Sequence, residues 1–114
     1  MTVPLNKQKL LFVCLQNRLR SPTAEKIFSE DAQLEVKSAG LDEASNVSVS
    51  RELLEWADII FVMEKGQRNS IHKKFKDIYA KKRIVCLYIP DEYEYMDAEL
   101  IHLLQKAVTP YLKK

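Results

Sequence analysis

The chain has 114 residues, 46% of them hydrophobic and 30% charged, enough for one domain with a modest core and ordinary for a soluble globular protein. A formal net charge of +2 gives no footing for nucleic acid as a partner, so the lysines of "HKKFK" and of "KKR" at 81 to 83 read as a solvated face. No apolar run approaches membrane-spanning length, "MTVPLNKQK" lacks the hydrophobic core of a secretion signal, and two cysteines make no disulfide framework, so a cytoplasmic protein is expected.

In chain order, "KLLFVC" at 9 to 14 is apolar without a helical period and predicts a buried strand. "SPTAEKIFSED" predicts a helix, with Ser21 in the capping position and Pro22 inside the first turn, where a missing N–H costs nothing. "LEVKSAG" reads as a second strand stopping at Gly40, and "SRELLEWA" has helical spacing from Ser50. "DIIFVM" is a third strand, and "KGQRNSIHKKFKDIYA" places Ile71, Phe75 and Ile78 on one face of a single helix. "RIVCLYI" predicts a fourth strand, broken by Pro90. From Asp97 onward Leu100, Leu104 and Val108 lie in a broad helical stripe.

Strands apolar on both faces that alternate with helices predict an α/β three-layer sandwich. A four-stranded parallel sheet would carry helices on both faces, in a single domain over 1–114. Ligands of open α/β sheets bind where the strands end at their C-termini. That edge gathers Cys14 and its loop, Ser38 to Gly40, Met63 with Glu64, and Pro90 to Tyr95.

Between Cys14 and the first helix runs Cys-x5-Arg-Ser. A loop entering a helix N-terminus presents unpaired backbone N–H groups and the positive end of the dipole, which together suit an anion. Arg20 adds a planar fork that matches phosphate oxygens. The same field favours the thiolate of Cys14, and Ser21 can donate a hydrogen bond to it. A thiolate at the floor of a phosphate cradle is a nucleophile for phosphorus, by way of a phosphocysteine. The phosphate-binding loop would comprise Leu15, Gln16, Asn17, Arg18, Leu19, Arg20 and Ser21. Without glycine in it, Asn17 is the residue best able to adopt a positive φ.

"VCLQNRLRSPTAE" resembles the signature of the low-molecular-weight protein tyrosine phosphatases, and "SAG" and "DIIFVME" extend the likeness. The resemblance implies Cys14 as nucleophile, Arg20 as phosphate clamp, Asn17 as loop brace and Ser21 as thiolate partner. Cleavage also needs an acid for the leaving oxygen. The sheet places Asp91 on the same edge as Cys14, and "DEY" resembles the family's Asp-Pro-Tyr, whose aspartate is the general acid. Asp97 reads instead as the cap of the last helix. Tyr93 and Tyr95 would flank the pocket.

Three departures stand out. Gln16 and Arg18 replace small apolar residues, with Arg18 either attracting an anionic substrate or pointing into water. Leu19 stands where some members carry a second cysteine. The segment after Gly40 is short, which predicts a shallow, open pocket. Two rival readings share the loop: an oxyanion-binding module with little turnover, and an arsenate reductase. The latter needs a resolving thiol, and only Cys86 remains, expected buried within its strand. His72 and His102 have no ligand-like neighbours, so no metal and no cofactor are expected. The expected partner is a phosphorylated protein or a small phosphoester, with the chain a monomer or weak dimer.

Overall fold

The computed structural model describes residues 7–112. Four parallel strands, β1 (Gln8–Cys14), β2 (Leu34–Gly40), β3 (Ile59–Val62) and β4 (Arg83–Cys86), form one sheet in the order β2-β1-β3-β4. Helices α1 (Arg20–Phe28), α2 (Arg51–Trp56), α3 (Lys65–Lys74), α4 (Lys76–Lys81) and α5 (Ala98–Val108) cover it. No helix among the described residues is long and apolar enough to cross a membrane.

Alternation along β1 builds the two layers, because successive side chains point to opposite faces. Leu10, Phe12 and Cys14 join Ala24 and Phe28 of α1 and Leu100, Leu104 and Val108 of α5. Leu11 and Val13 join Leu54 of α2, Ile71 of α3 and Ile78 of α4 on the other side. The expected three-layer sandwich is therefore present. Phe12 stands at the centre of the first layer, its ring stacked on Phe28 at 5.5 Å and on Phe61 at 5.1 Å.

Ser50 caps α2 by accepting the Leu53 N–H, and Asp97 caps α5 by accepting that of Glu99. Three local expectations are corrected. The helix expected over 65 to 80 is broken at Phe75 (φ −132°, ψ 57°). Ending α3 at Lys74 sets Lys73 and Lys74 in its last turn, at its negative pole. The break also puts Asp77 in the first turn of α4, where Arg51 of α2 reaches it at 2.7 Å and that hydrogen bond holds its carboxyl down at about 2. Regular pairing of β4 stops at Cys86 rather than Ile89, since Tyr88 takes a φ of 56°. Lastly, Cys86 is half-buried rather than fully enclosed, because β4 is an edge strand.

Gly40 closes β2 where two chain segments meet. Its N–H donates to the Val47 carbonyl at 2.7 Å, and its carbonyl accepts from Val49 at 2.8 Å. A Cβ there would overlap the Ser45 side chain and lie 2.9 Å from the Asn17 backbone nitrogen. The requirement is for space, not for an unusual φ.

Two stability outcomes are expected in urea melts. Phe61→Ala removes a fully buried ring that stacks on Phe12 and meets Tyr111 edge-on, and should cost about 3–5 kcal/mol. Gly40→Ala should cost about 1–3 kcal/mol, as overpacking does. Adding Ser45→Gly should restore only part of that loss, since the clash with Asn17 remains. Full restoration would mean that the backbone contact is not the constraint.

Candidate active site

The loop from Leu15 to Leu19 is held open by turning its carbonyls outward. Leu41 N–H donates to the Cys14 carbonyl at 3.1 Å, and Asp42 N–H to that of Leu15 at 2.8 Å. Ser45 Oγ also donates to Leu15, at 3.2 Å, and Asn46 Nδ2 donates to the Asn17 carbonyl at 3.0 Å. Thr23 takes the Leu19 carbonyl through both its N–H and its hydroxyl. Meanwhile the N–H groups of Leu15, Gln16, Arg18 and Leu19 donate to no acceptor among the described residues. Carbonyls engaged outside and amides left free inside make an anion-binding concavity.

Asn17 makes this turn possible, with a φ of 54° in the left-handed region that asparagine tolerates better than most residues. It is 3% exposed, and its amide donates both hydrogens, to Ser21 Oγ at 3.0 Å and to Ser38 Oγ at 2.9 Å. Ser38 in turn donates to the Glu25 carboxylate. The Ser21 hydroxyl, already accepting from Asn17, has its own hydrogen left for Cys14 Sγ, 2.9 Å away. The Asn17 backbone N–H points at the same sulfur from 3.2 Å. Glu25 thus orients a chain of donors that ends on Cys14, an arrangement suited to a sulfur acting as acceptor.

Ser21 is consequently not the helix cap expected of it. Leu19 occupies that position with no side-chain capping bond, and Ser21 is the second residue of α1. One hydroxyl hydrogen-bonded into the sulfur network is not free to cap the first turn.

Arg20 is 3% exposed, yet it lines the cavity above Cys14. Its Nη1 donates to the Ile89 carbonyl at 2.8 Å and lies 3.4 Å from Glu64 Oε2, while its Nε is 3.7 Å from Asp91 Oδ1. Glu64 is itself fixed as the N-cap of α3, in a reciprocal capping box with Gln67. Sequence reasoning put Glu64 on this edge without naming it as the partner of Arg20. The signal was available, since it follows β3 as directly as Asp91 follows the end of the fourth apolar run. Ser38, Asn46 and Glu25 were also missed as supports of the loop.

The cavity has a volume of about 410 Å³ and is lined by Cys14, Leu15, Gln16, Arg18, Leu19, Arg20 and Asp91. Asn17 and Ser21 lie behind the loop rather than in it. Asp91 reaches the mouth with its side chain 66% exposed, whereas Asp97 is committed to capping α5. Tyr93 and Tyr95, expected at the flanks, do not line the cavity. Tyr93 packs against the first core layer, where burial, with the carboxylates of Glu99, Glu92 and Asp97, pushes its phenol up. Tyr95 stands half exposed before Met96 (φ 63°), whose N–H is tied to Thr23 Oγ1 at 2.9 Å. No residue of the segment 41 to 49 lines the cavity either, because that segment is spent bracing the loop from behind.

Residues 9–56 match the family model for low molecular weight phosphotyrosine protein phosphatase. No curated protein matches the chain in sequence. Among solved structures, the tyrosine phosphatase amsI of Erwinia amylovora is similar with a TM-score of 0.75 and 17% identity, over 100% of this chain and 99% of that one. SP-PTP, a low molecular weight protein tyrosine phosphatase from Streptococcus pyogenes, gives a TM-score of 0.75 at 16% identity, over 94% and 95%. The YwlE arginine phosphatase from Geobacillus stearothermophilus gives 0.66 at 22% identity, over 94% and 99%. At such identities the structural likeness speaks for the fold. The resemblance read from residues 13 to 25 is thus borne out: the chain matches the low molecular weight phosphotyrosine protein phosphatase family over residues 9–56, which hold the whole loop, and shares the fold of that family's solved structures.

Proposed function

We propose that the protein is a cysteine-dependent phosphatase that hydrolyses phosphomonoesters through a phosphocysteine. The observation that carries this reading is the sulfur of Cys14, accepting two hydrogen bonds at the floor of a cavity that also exposes Arg20 and Asp91. The phosphate would be held by the free N–H groups of the loop and by Arg20, which supply positive charge where oxygens crowd. Cys14 Sγ forms a bond to phosphorus while the ester oxygen departs with a proton from Asp91. Water then attacks the phosphocysteine, giving its proton back to Asp91, and the P–S bond breaks to return the thiolate and free phosphate. Ser21 stabilises the sulfur as it leaves.

Substrate identity follows from neighbours only as alternatives, since the solved structures include both tyrosine and arginine phosphatases. Phosphotyrosine or a small aryl phosphate is the reading we adopt, with the cytoplasm as the site of action. An oxyanion-binding module of the same fold is the second reading. It is favoured by the high exposure of Asp91 and by an open mouth that nothing from 41 to 49 walls. Arsenate reduction fares worse, because Cys86 packs with the second core layer and Cys14 with the first, on opposite faces of the sheet.

Hydrolysis of an aryl phosphate with a metal chelator present should vanish in Cys14→Ser, while inorganic phosphate still binds. Asp91→Asn should lose about 10²–10⁴-fold on alkyl phosphates with poor leaving groups. It should lose far less on activated aryl esters. Equal losses on both would remove Asp91 from the acid role. Wild type without turnover, but with phosphate still shielding Cys14 from alkylation, would establish the binding module.

A further inference from the structure

Charge at the cavity mouth is unevenly committed. Three charged side chains line the cavity, Arg18, Arg20 and Asp91. Arg20 is engaged by Ile89, Glu64 and Asp91, and Asp91 by Arg20. Arg18 is exposed and makes no hydrogen bond or ion pair among the described residues. It sits one residue past Asn17 and two before Arg20, so its Cα is fixed by the loop whatever its side chain does.

We infer that Arg18 reads a second anionic group on the substrate, so that the preferred phosphomonoesters carry a carboxylate or another phosphate close to the phosphate being cleaved. This rests on the phosphatase reading and narrows its substrate class. The remaining lining is Leu15, Gln16 and Leu19, which offers a leaving group an apolar surface and one neutral amide but no other cation. A guanidinium fork at the rim matches the two oxygens of a carboxylate. The one carboxylate lining the cavity, Asp91, is paired with Arg20, so a cationic leaving group has no unpaired carboxylate there to meet. Asp91 lies within ion-pair distance of Arg20 and not of Arg18, so it does not neutralise Arg18 in the free protein.

Exposure limits the effect: a rim ion pair in water is worth a few-fold to about tenfold in affinity. It should weaken as salt shortens the range of the field.

The test is a ratio of kcat/KM within each variant, so that any loss common to both substrates cancels. Two pairs are compared, phosphotyrosine peptides with Glu or Gln beside the phosphorylated residue, and small aryl phosphates bearing a carboxylate or a carboxamide. In wild type the charged member of at least one pair should be favoured by about 3- to 10-fold. Preference confined to the peptides assigns the second charge to a protein substrate, and preference in the small pair assigns it to a compact one. The ratio should fall to about one in Arg18→Gln, invert in Arg18→Glu and survive in part in Arg18→Lys. A ratio near one for both pairs in wild type overturns the inference, as does one that persists in Arg18→Gln. Should wild type cleave nothing, the phosphatase reading fails separately. The same ratios are then read as protection of Cys14 from iodoacetamide by the matching phosphonates, with the same two outcomes.

Discussion

Everything at this site hangs on the two hydrogens of the Asn17 side-chain amide. They lock the only residue of the 15–19 loop with a positive φ to Ser21 on one side and to Ser38 of β2 on the other. Remove them and three things go together. The loop loses its tie to the sheet, Ser21 loses the partner that turns its hydrogen toward sulfur, and the carbonyls lose the geometry that keeps them outside. In low local dielectric such linked donors are worth more than their separate strengths suggest. The network works because it is closed at its far end by a carboxylate, Glu25, which fixes the direction in which every hydroxyl points.

The short connection after Gly40 has a positive role under this constraint. In the sequence it looks like a missing wall. In the structure the residues Leu41, Asp42, Ser45 and Asn46 satisfy the carbonyls of Cys14, Leu15 and Asn17 from behind. The loop contains no glycine, and the segment after Gly40 braces it from behind instead of walling the cavity. Rigidity of the cradle and openness of the mouth are two aspects of one arrangement.

Most of the fold was legible because it is written in period and punctuation. The double-sided apolar runs of β1 and β3, the Ser50 and Asp97 caps and the stripe of α5 each follow from local rules, and the sheet edge followed from them. What was not legible depended on competition between partners. Ser21 has the right type and place for a cap, and only the sulfur opposite explains why its hydroxyl is used elsewhere. The break at Phe75 sets two lysines at one helix end and Asp77 at the start of the next, which a count of apolar residues ignores. Tyr93 has the polarity of a pocket residue, and its packing against α5's layer is a long-range fact no spacing records. Arg20 could be named from its motif, whereas Glu64 was placed on the right edge but its pairing with Arg20 is a side-chain contact that no spacing records.

The anchoring of Arg20 has one more implication, for how the site would fail. Its shortest contact is a backbone carbonyl, that of Ile89, and besides Glu64 its carboxylate partner is Asp91, the candidate acid. Ile89 and Asp91 belong to the chain leaving β4, a four-residue strand at the sheet's margin with every residue at least partly exposed. Marginal strands of this kind open at lower free energy than the centre of a sheet. A fluctuation that peels β4 away would leave Arg20 with Glu64 alone and withdraw the acid in the same event, while β1 and Cys14 stay paired. The clamp and the acid thus share one exposed flank, and what holds that flank to the sheet is the burial of Ile89 in the layer that also contains Cys14.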